Sequence, residues 1–166
     1  MSISSSDIQK LLSGGASNAN PILSLGGVKS SVAVTGASIF DNISVVELAA
    51  GSVEYRGFYV QNVHATLTAT NLTAWINSNT PSNLTDVALG LGTSAISGTE
   101  QTVANETTAP VGVTFFAAAS KAAGLALGSL APGQSKFVWV RRSASAGAVS
   151  SAVSDPFTIR LEAETL

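Results

Sequence analysis

His64 is the one histidine of the chain and stands in "QNVHAT" with no cysteine anywhere in the sequence. A zinc site needs three or four His, Cys or carboxylate ligands, and a general base needs a nucleophile and an orienting partner, so His64 reads as a turn residue between two strands. The acids Asp86, Glu100 and Glu106 fall in predicted loops, and no Asp-x-Asp-x-Asp-Gly run forms a calcium loop. Two carboxylates meeting in space would allow glycoside hydrolysis, but nothing in their spacing nominates a pair. The glycine stretches Gly90 to Ser94 ("GLGTS") and Gly26 to Ser31 ("GGVKSS") lack the G-x-x-x-x-G-K-[ST] spacing of a phosphate loop and read as turns. Trp75 falls opposite Leu72, Ala74 and Ile76 in strand alternation and is the candidate for a sugar-stacking face, against second-face packing or a subunit contact. Arg141 and Arg142, ending "LAPGQSKFVWVRR", offer an interfacial ion pair or a solvated strand end. No catalytic residue, cofactor or metal ligand is nominated, and the expectation is a protein that is not an enzyme.

Such sparse chemistry throws weight onto bulk properties. The 166 residues suffice for one domain burying roughly 70% of its unfolded surface, and with Cys 0 its stability comes from packing and backbone ladders. Charged residues make up 11% of the chain, against about 25% in an ordinary globular domain, and Ser, Thr, Asn and Gly supply the remaining polarity. A surface of that kind suits a protein largely covered by neighbours. The net charge of -2 lacks the basic stripe that nucleic acid demands, and no window has the 18 or so apolar residues of a membrane span. The start "MSISSSDIQKLL" has no secretory pattern, so synthesis in a cytoplasm is expected and the N-x-S/T matches at Asn42, Asn71, Asn83 and Asn105 read as composition rather than glycosylation.

Ser6-Asp7-Ile8-Gln9 has the form of a capping box, and Ile8, Leu11 and Leu12 share a helical face before Gly14 and Gly15. A short helix is predicted over Asp7 to Ser13. The segment that follows, "GGASNANPILSLGGVKSS", embeds Pro21, Ile22, Leu23 and Leu25 among Gly, Asn and Ser. It reads as an extended attachment arm, polar where it spans and apolar where it lands, or as an N-terminal strand folded back on its own domain. The chain divides on this reading into a helix and arm over 1–31 and a β domain over 32–166. The expected interface residues are Ile8, Leu11, Leu12, Pro21, Ile22, Leu23, Leu25, Arg141 and Arg142.

Beyond Ser31 the pattern is of short strands with turn punctuation. Strands are predicted near Val28 to Val34, Ile39 to Leu48, Val53 to Asn62, Leu67 to Ile76, Val87 to Leu91, Gln101 to Ala104, Val111 to Phe116, Leu125 to Leu127, Lys136 to Arg142 and Phe157 to Ala163. The parity of Leu67 and Ala69 conflicts with that of Leu72, Ala74 and Ile76, which predicts a bulge near Thr70 and Asn71. Phe137 and Trp139 share one face and Val138 and Val140 the other, so that strand is apolar on both sides and belongs near the middle of a sheet. "SASAGAVSSAVS" reads as a flexible loop. The fold class is all-β: an antiparallel β-sandwich, jelly-roll or immunoglobulin-like, with a short N-terminal helix and extended arm.

"VEYRGFYVQNVHATLTATNLTAWINSNTPSNLTDVALGLGTSAISGTEQTVANETTAP", Val53 to Pro110, together with "LAPGQSKFVWVRR", resembles the small structural proteins that decorate or cement the capsids of tailed bacteriophages. The likeness is to a style of strand and loop over somewhat under half of the chain, so no residue role transfers. It implies an oligomeric, non-enzymatic β-sandwich virion component and leaves its place in the particle open; the leading expectation is a homo-oligomer on the capsid surface whose partner is the major capsid protein, and the charge and hydropathy above exclude nucleic acid and membrane as partners. Other places in the particle, such as the tail, neck or fibre base, and a carbohydrate-binding or adhesive module using Trp75 are the competing expectations.

Overall fold

The computed structural model describes residues 2–35, 39–80, 82–147 and 156–164. Along the chain run β1 (Ile8–Ser13), β2 (Gly26–Gly27), β3 (Lys29–Ala33), α1 (Val45–Ala50), β4 (Ser52–Asn62), β5 (Ala69–Ser78), β6 (Thr85–Leu91), β7 (Glu100–Thr102), β8 (Phe115–Phe116), β9 (Leu125–Leu130), β10 (Ser135–Ala144) and β11 (Thr158–Glu164). They form an antiparallel six-stranded sheet in the order β3-β1-β4-β10-β6-β8, a three-stranded sheet β11-β5-β9 and a small ladder β2-β7. The long strands β4 and β10 pair over their whole length, from Gln61↔Ser135 to Ser52↔Ala144. β10 therefore lies inside the large sheet, where its two apolar faces require it to be.

One face of this sheet presents Phe58, Val60, Val87, Leu89, Val138 and Val140, which share a single buried cluster with Leu72, Ala74 and Ile76 of β5 and Leu125, Leu127 and Leu130 of β9. The other face carries Leu11, Tyr59, Phe137 and Trp139, clustered with Val103. Tyr59 and Trp139 meet Phe137 edge-on, with ring centroids 4.8 and 5.0 Å away. The small β2–β7 ladder, through Gly26, Gly27 and Glu100, and flanking loops lie against these rings. Gly57 N–H donates to the Ser24 oxygen at 3.0 Å and Ser24 Oγ donates back to the Gly57 oxygen at 2.7 Å, while Tyr55 N–H donates to the Glu106 oxygen at 2.6 Å. Those bonds satisfy the edge of β4 beyond the end of its pairing with β1 at Leu11↔Tyr59.

The predicted bulge is present. Asn71 has φ 50, and the register of β5 slips on both sides of it. Two expectations are corrected. Residues Asp7 to Ser13 are not a helix: a capping box does form, but between Ser4 and Asp7, and it starts only a 3-10 turn over Ser5–Asp7. Ile8–Ser13 then continues as β1, hydrogen-bonded to β4 and β3. Six residues ahead of two glycines cannot recover the cost of helix nucleation, whereas as a strand they gain a ladder on both edges. Ile39 to Leu48 is not one strand either, because Ser44 and Glu47 form a reciprocal capping box that starts α1. The expected strand Val111 to Phe116 shrinks to Phe115–Phe116. Most of the Gly/Ala/Ser-rich stretch after Ser143 lies outside the described residues.

Candidate functional site

Toward one end of the core-facing side of β4 and β10, the apolar pattern gives way to charge. Glu54 and Arg56 share the parity of Phe58 and Val60, and the register sets Arg142 opposite Glu54. Arg56 is 0%, Glu54 2% and Arg142 3% exposed. Arg142 Nε donates to Glu54 Oε2 at 2.6 Å and its other terminal N–H reaches the Asp41 backbone oxygen at 2.5 Å. Arg56 donates to Asp41 Oδ1 at 3.3 Å and to the Glu106 carboxylate. The Phe40 ring lies 4.6 Å from the Arg142 guanidinium and 5.6 Å from that of Arg56. The cluster thus ties three separate segments together: the approach to α1, the central strands, and the turn after β7.

Burial pushes the Glu54 carboxyl above its ordinary value, the Arg142 charge only partly opposing it. Glu47 is held below its ordinary value by hydrogen bonds with Ser44 at the start of α1, with a smaller contribution from Arg142. The carboxylate oxygens of Asp41, Glu54 and Glu106 come within 4.8 Å of one another, the spacing of an oxygen cage for a hard cation. Two guanidiniums already engage those oxygens and supply the positive charge that a cation would bring. A hydrolytic carboxylate pair needs an open space for substrate and water, which buried, arginine-paired Glu54 does not offer. The arrangement does structural work.

A second buried carboxylate lies on the opposite face. Glu100 is 2% exposed and accepts from Thr93 N–H at 3.1 Å, Thr93 Oγ1 at 3.0 Å, Ser94 N–H at 3.0 Å and Trp139 Nε1 at 3.3 Å. Its own N–H donates to the Tyr59 hydroxyl, which donates to the Gly27 oxygen at 2.7 Å. Burial works to raise its pKa, but the hydrogen bonds from Ser94, Trp139 and Thr93 outweigh it and hold the carboxyl below the ordinary value. Glu100 lies on strand β7 and not in a loop, as expected for it from sequence, and it brackets the turn after β6 to the central rings.

The expected interface residues separate. Leu11 and Leu12 are buried, Ile8, Pro21 and Leu25 half-buried, and Ile22 and Leu23 exposed at 48% and 54% on a 3-10 turn whose N-cap is Asn20. Arg142 belongs to the ion cluster, while Arg141 is half-buried with its guanidinium 5.5 Å from the Phe115 ring centroid. His64 is a turn residue, its Nδ1 accepting from Thr66 and Leu67 N–H. Trp75 is 7% exposed with the Arg160 guanidinium 5.7 Å over its ring, so it presents no free face for a sugar to stack on. Sequence reasoning missed Asp41, Glu54 and Arg56; the signal was "VEYRGFYV", where charges occupy the parity that Phe58 and Val60 give to the core. No family model matches the chain, no curated protein is similar to it, and no solved structure matches it.

Proposed function

We propose that this chain is a non-enzymatic virion protein of a tailed phage, a decoration or cement subunit that stabilises the capsid shell by bridging its subunits. Its sheets would form an antiparallel β-sandwich, since the six- and three-stranded sheets contribute to one apolar cluster. Its partners are the major capsid protein and further copies of itself. One observation carries the reading: the buried Arg56 and Arg142 are paired within the fold to Asp41, Glu106 and Glu54, while the surface exposes Ile22, Leu23, Val28 and Val111. A static bridging protein needs rigidity and low-charge contact area repeated over many copies, and no reactive group. The attachment is assigned to the Pro21–Leu23 turn, the part of the N-terminal segment that the fold leaves outside.

Quantitative mass spectrometry of purified virions tests this. Abundance near that of the major capsid protein is expected. A few to some dozens of copies would place the protein in the tail, neck or fibre base, and absence from particles would overturn the virion reading. The paired variant I22D/L23D is expected to fold normally and lose incorporation.

A further inference from the structure

β11 is an outer strand of the three-stranded sheet. The interruptions in its register fall on β5: Thr158 and Ile159 face Ser78 and Ile76, and Glu162 and Glu164 face Thr73 and Thr70, so the extra residues belong to β5 and β11 runs evenly. Ile76 sends its N–H away from β11, to the Ala118 oxygen at 2.8 Å. Its partner Ile159 therefore turns its own N–H and C=O to the outer side, where Lys10 Nζ reaches the Ile159 oxygen at 3.4 Å. Alternation puts the main chain of Leu161 and Ala163 on the same outer edge. A groove of about 400 Å3 lies beside it, walled by Ile3, Ser4, Ser5 and Ile8 on one side and residues 160–163 on the other. Sheet edges are normally blunted by proline, lysine or a bulge, and "TIRLEAE" itself contains none of these.

We infer that β11 is a self-pairing strand, through which two copies of the chain join antiparallel about a two-fold axis at Leu161. In that register Arg160 of each copy faces Glu162 of the other, Ile159 faces Ala163, Thr158 faces Glu164, and Leu161 meets its own counterpart. The charged pairs lie on the outer face and the apolar pairs on the core face, and Leu161 occupies a position that exchanges two main-chain hydrogen bonds. Moving the axis by one residue sets Arg160 or Glu162 against its own copy, so charge selects the register, with Glu162 also ion-paired to Lys121 and Arg160 over Trp75 of its own chain. A two-fold contact of this kind closes on itself and gives a dimer rather than a fibre. The inference stands apart from the virion reading, since it concerns the free protein.

Charge reversal tests it, by sedimentation equilibrium on purified protein with circular dichroism confirming the fold of each variant. R160E makes both charged partners acidic and E162R makes both basic. Each alone is expected to raise the dimer dissociation constant by about tenfold or more. An equimolar mixture of the two is expected to form a heterodimer, and R160E/E162R in one chain to restore the homodimer. Amide exchange supplies a measurement free of substitutions: the Leu161 N–H of the wild type is expected to be protected at dimer concentrations and to exchange rapidly on dilution. A wild type that stays monomeric, single reversals that dimerise unchanged, or Leu161 exchange independent of concentration would overturn the inference.

Discussion

Glu100 and Glu54 are both buried carboxylates, yet they respond to pH in opposite senses. Every contact of the Glu100 carboxylate is a donor, so an amide in its place turns its NH2 toward an N–H or hydroxyl. E100Q is expected to cost about 2–4 kcal/mol at pH 7. Because the folded-state pKa is depressed, the stability Glu100 contributes is present above the ordinary carboxylate value of about 4.3 and is lost as pH falls through the folded value. The cost of E100Q, followed by urea unfolding, therefore shrinks as pH is lowered toward 3. For Glu54 burial raises the folded pKa, so ionisation becomes harder on folding and wild-type stability declines as pH rises from the ordinary value through the folded one. Glutamine does not titrate, and the cost of E54Q is expected to shrink with rising pH. Parallel trends for the two variants would contradict this assignment. Neither role was visible in the sequence, where Glu100 looks like one of several loop acids and Glu54 is not singled out. Glu54 depends on Arg142 from a distant strand, and Glu100 on the nearby Thr93 and Ser94 together with the distant Trp139.

At the level of elements, β4 shows how alternation and burial diverge. Its apolar and charged residues alternate clearly enough to mark a strand, but the burial of Arg56 and Glu54 follows from α1 and the turn after β7 closing over them. Gly57 marks the closest approach on the other face: a Cβ there would run into the Phe137 ring and the Val138 oxygen. G57A is expected to destabilise by about 1–3 kcal/mol, read as a lowered denaturant midpoint at unchanged slope. The two misread elements share one cause. From sequence, a capping box is expected at Ser6–Gln9 and none in Ile39 to Leu48; the structure forms them at Ser4–Asp7 and Ser44–Glu47, and whether a helix follows depends on the competitor. Ile8–Ser13 pairs with β4 and β3 and became a strand, whereas Val45–Ala50, capped by Ser44 and Glu47, became a helix.

The whole molecule is organised around a six-stranded antiparallel sheet with a buried cluster on each face, one shared with residues of β5 and β9 and the other with Val103 beside the β2–β7 ladder. Residues 1–31 supply β1, β2 and part of β3, together with the Ser24 contact that closes the edge of β4. Of the two sequence readings for this segment, folding back on its own domain is what these strands do. Deletion of residues 1–31 would uncover Tyr59 and Trp139, and the truncated chain is expected to lose its cooperative thermal transition. A truncation that kept the transition would show the segment to be separable. The β class, the two-sided central strand from Lys136 to Arg142, the bulge at Asn71 and the turn role of His64 could all be read from the chain alone. They rest on periods of two, on residue shape and on turn chemistry, which act between neighbours in sequence. Tertiary structure alone decided that Arg142 joins a buried ion cluster, that Trp75 is covered, that Leu11 and Leu12 are core while Ile22 and Leu23 are not, and that Lys10 comes to the outer edge of β11. Each of these depends on which distant segment arrives to cover or pair with a residue, and alternation along one strand carries no record of that partner.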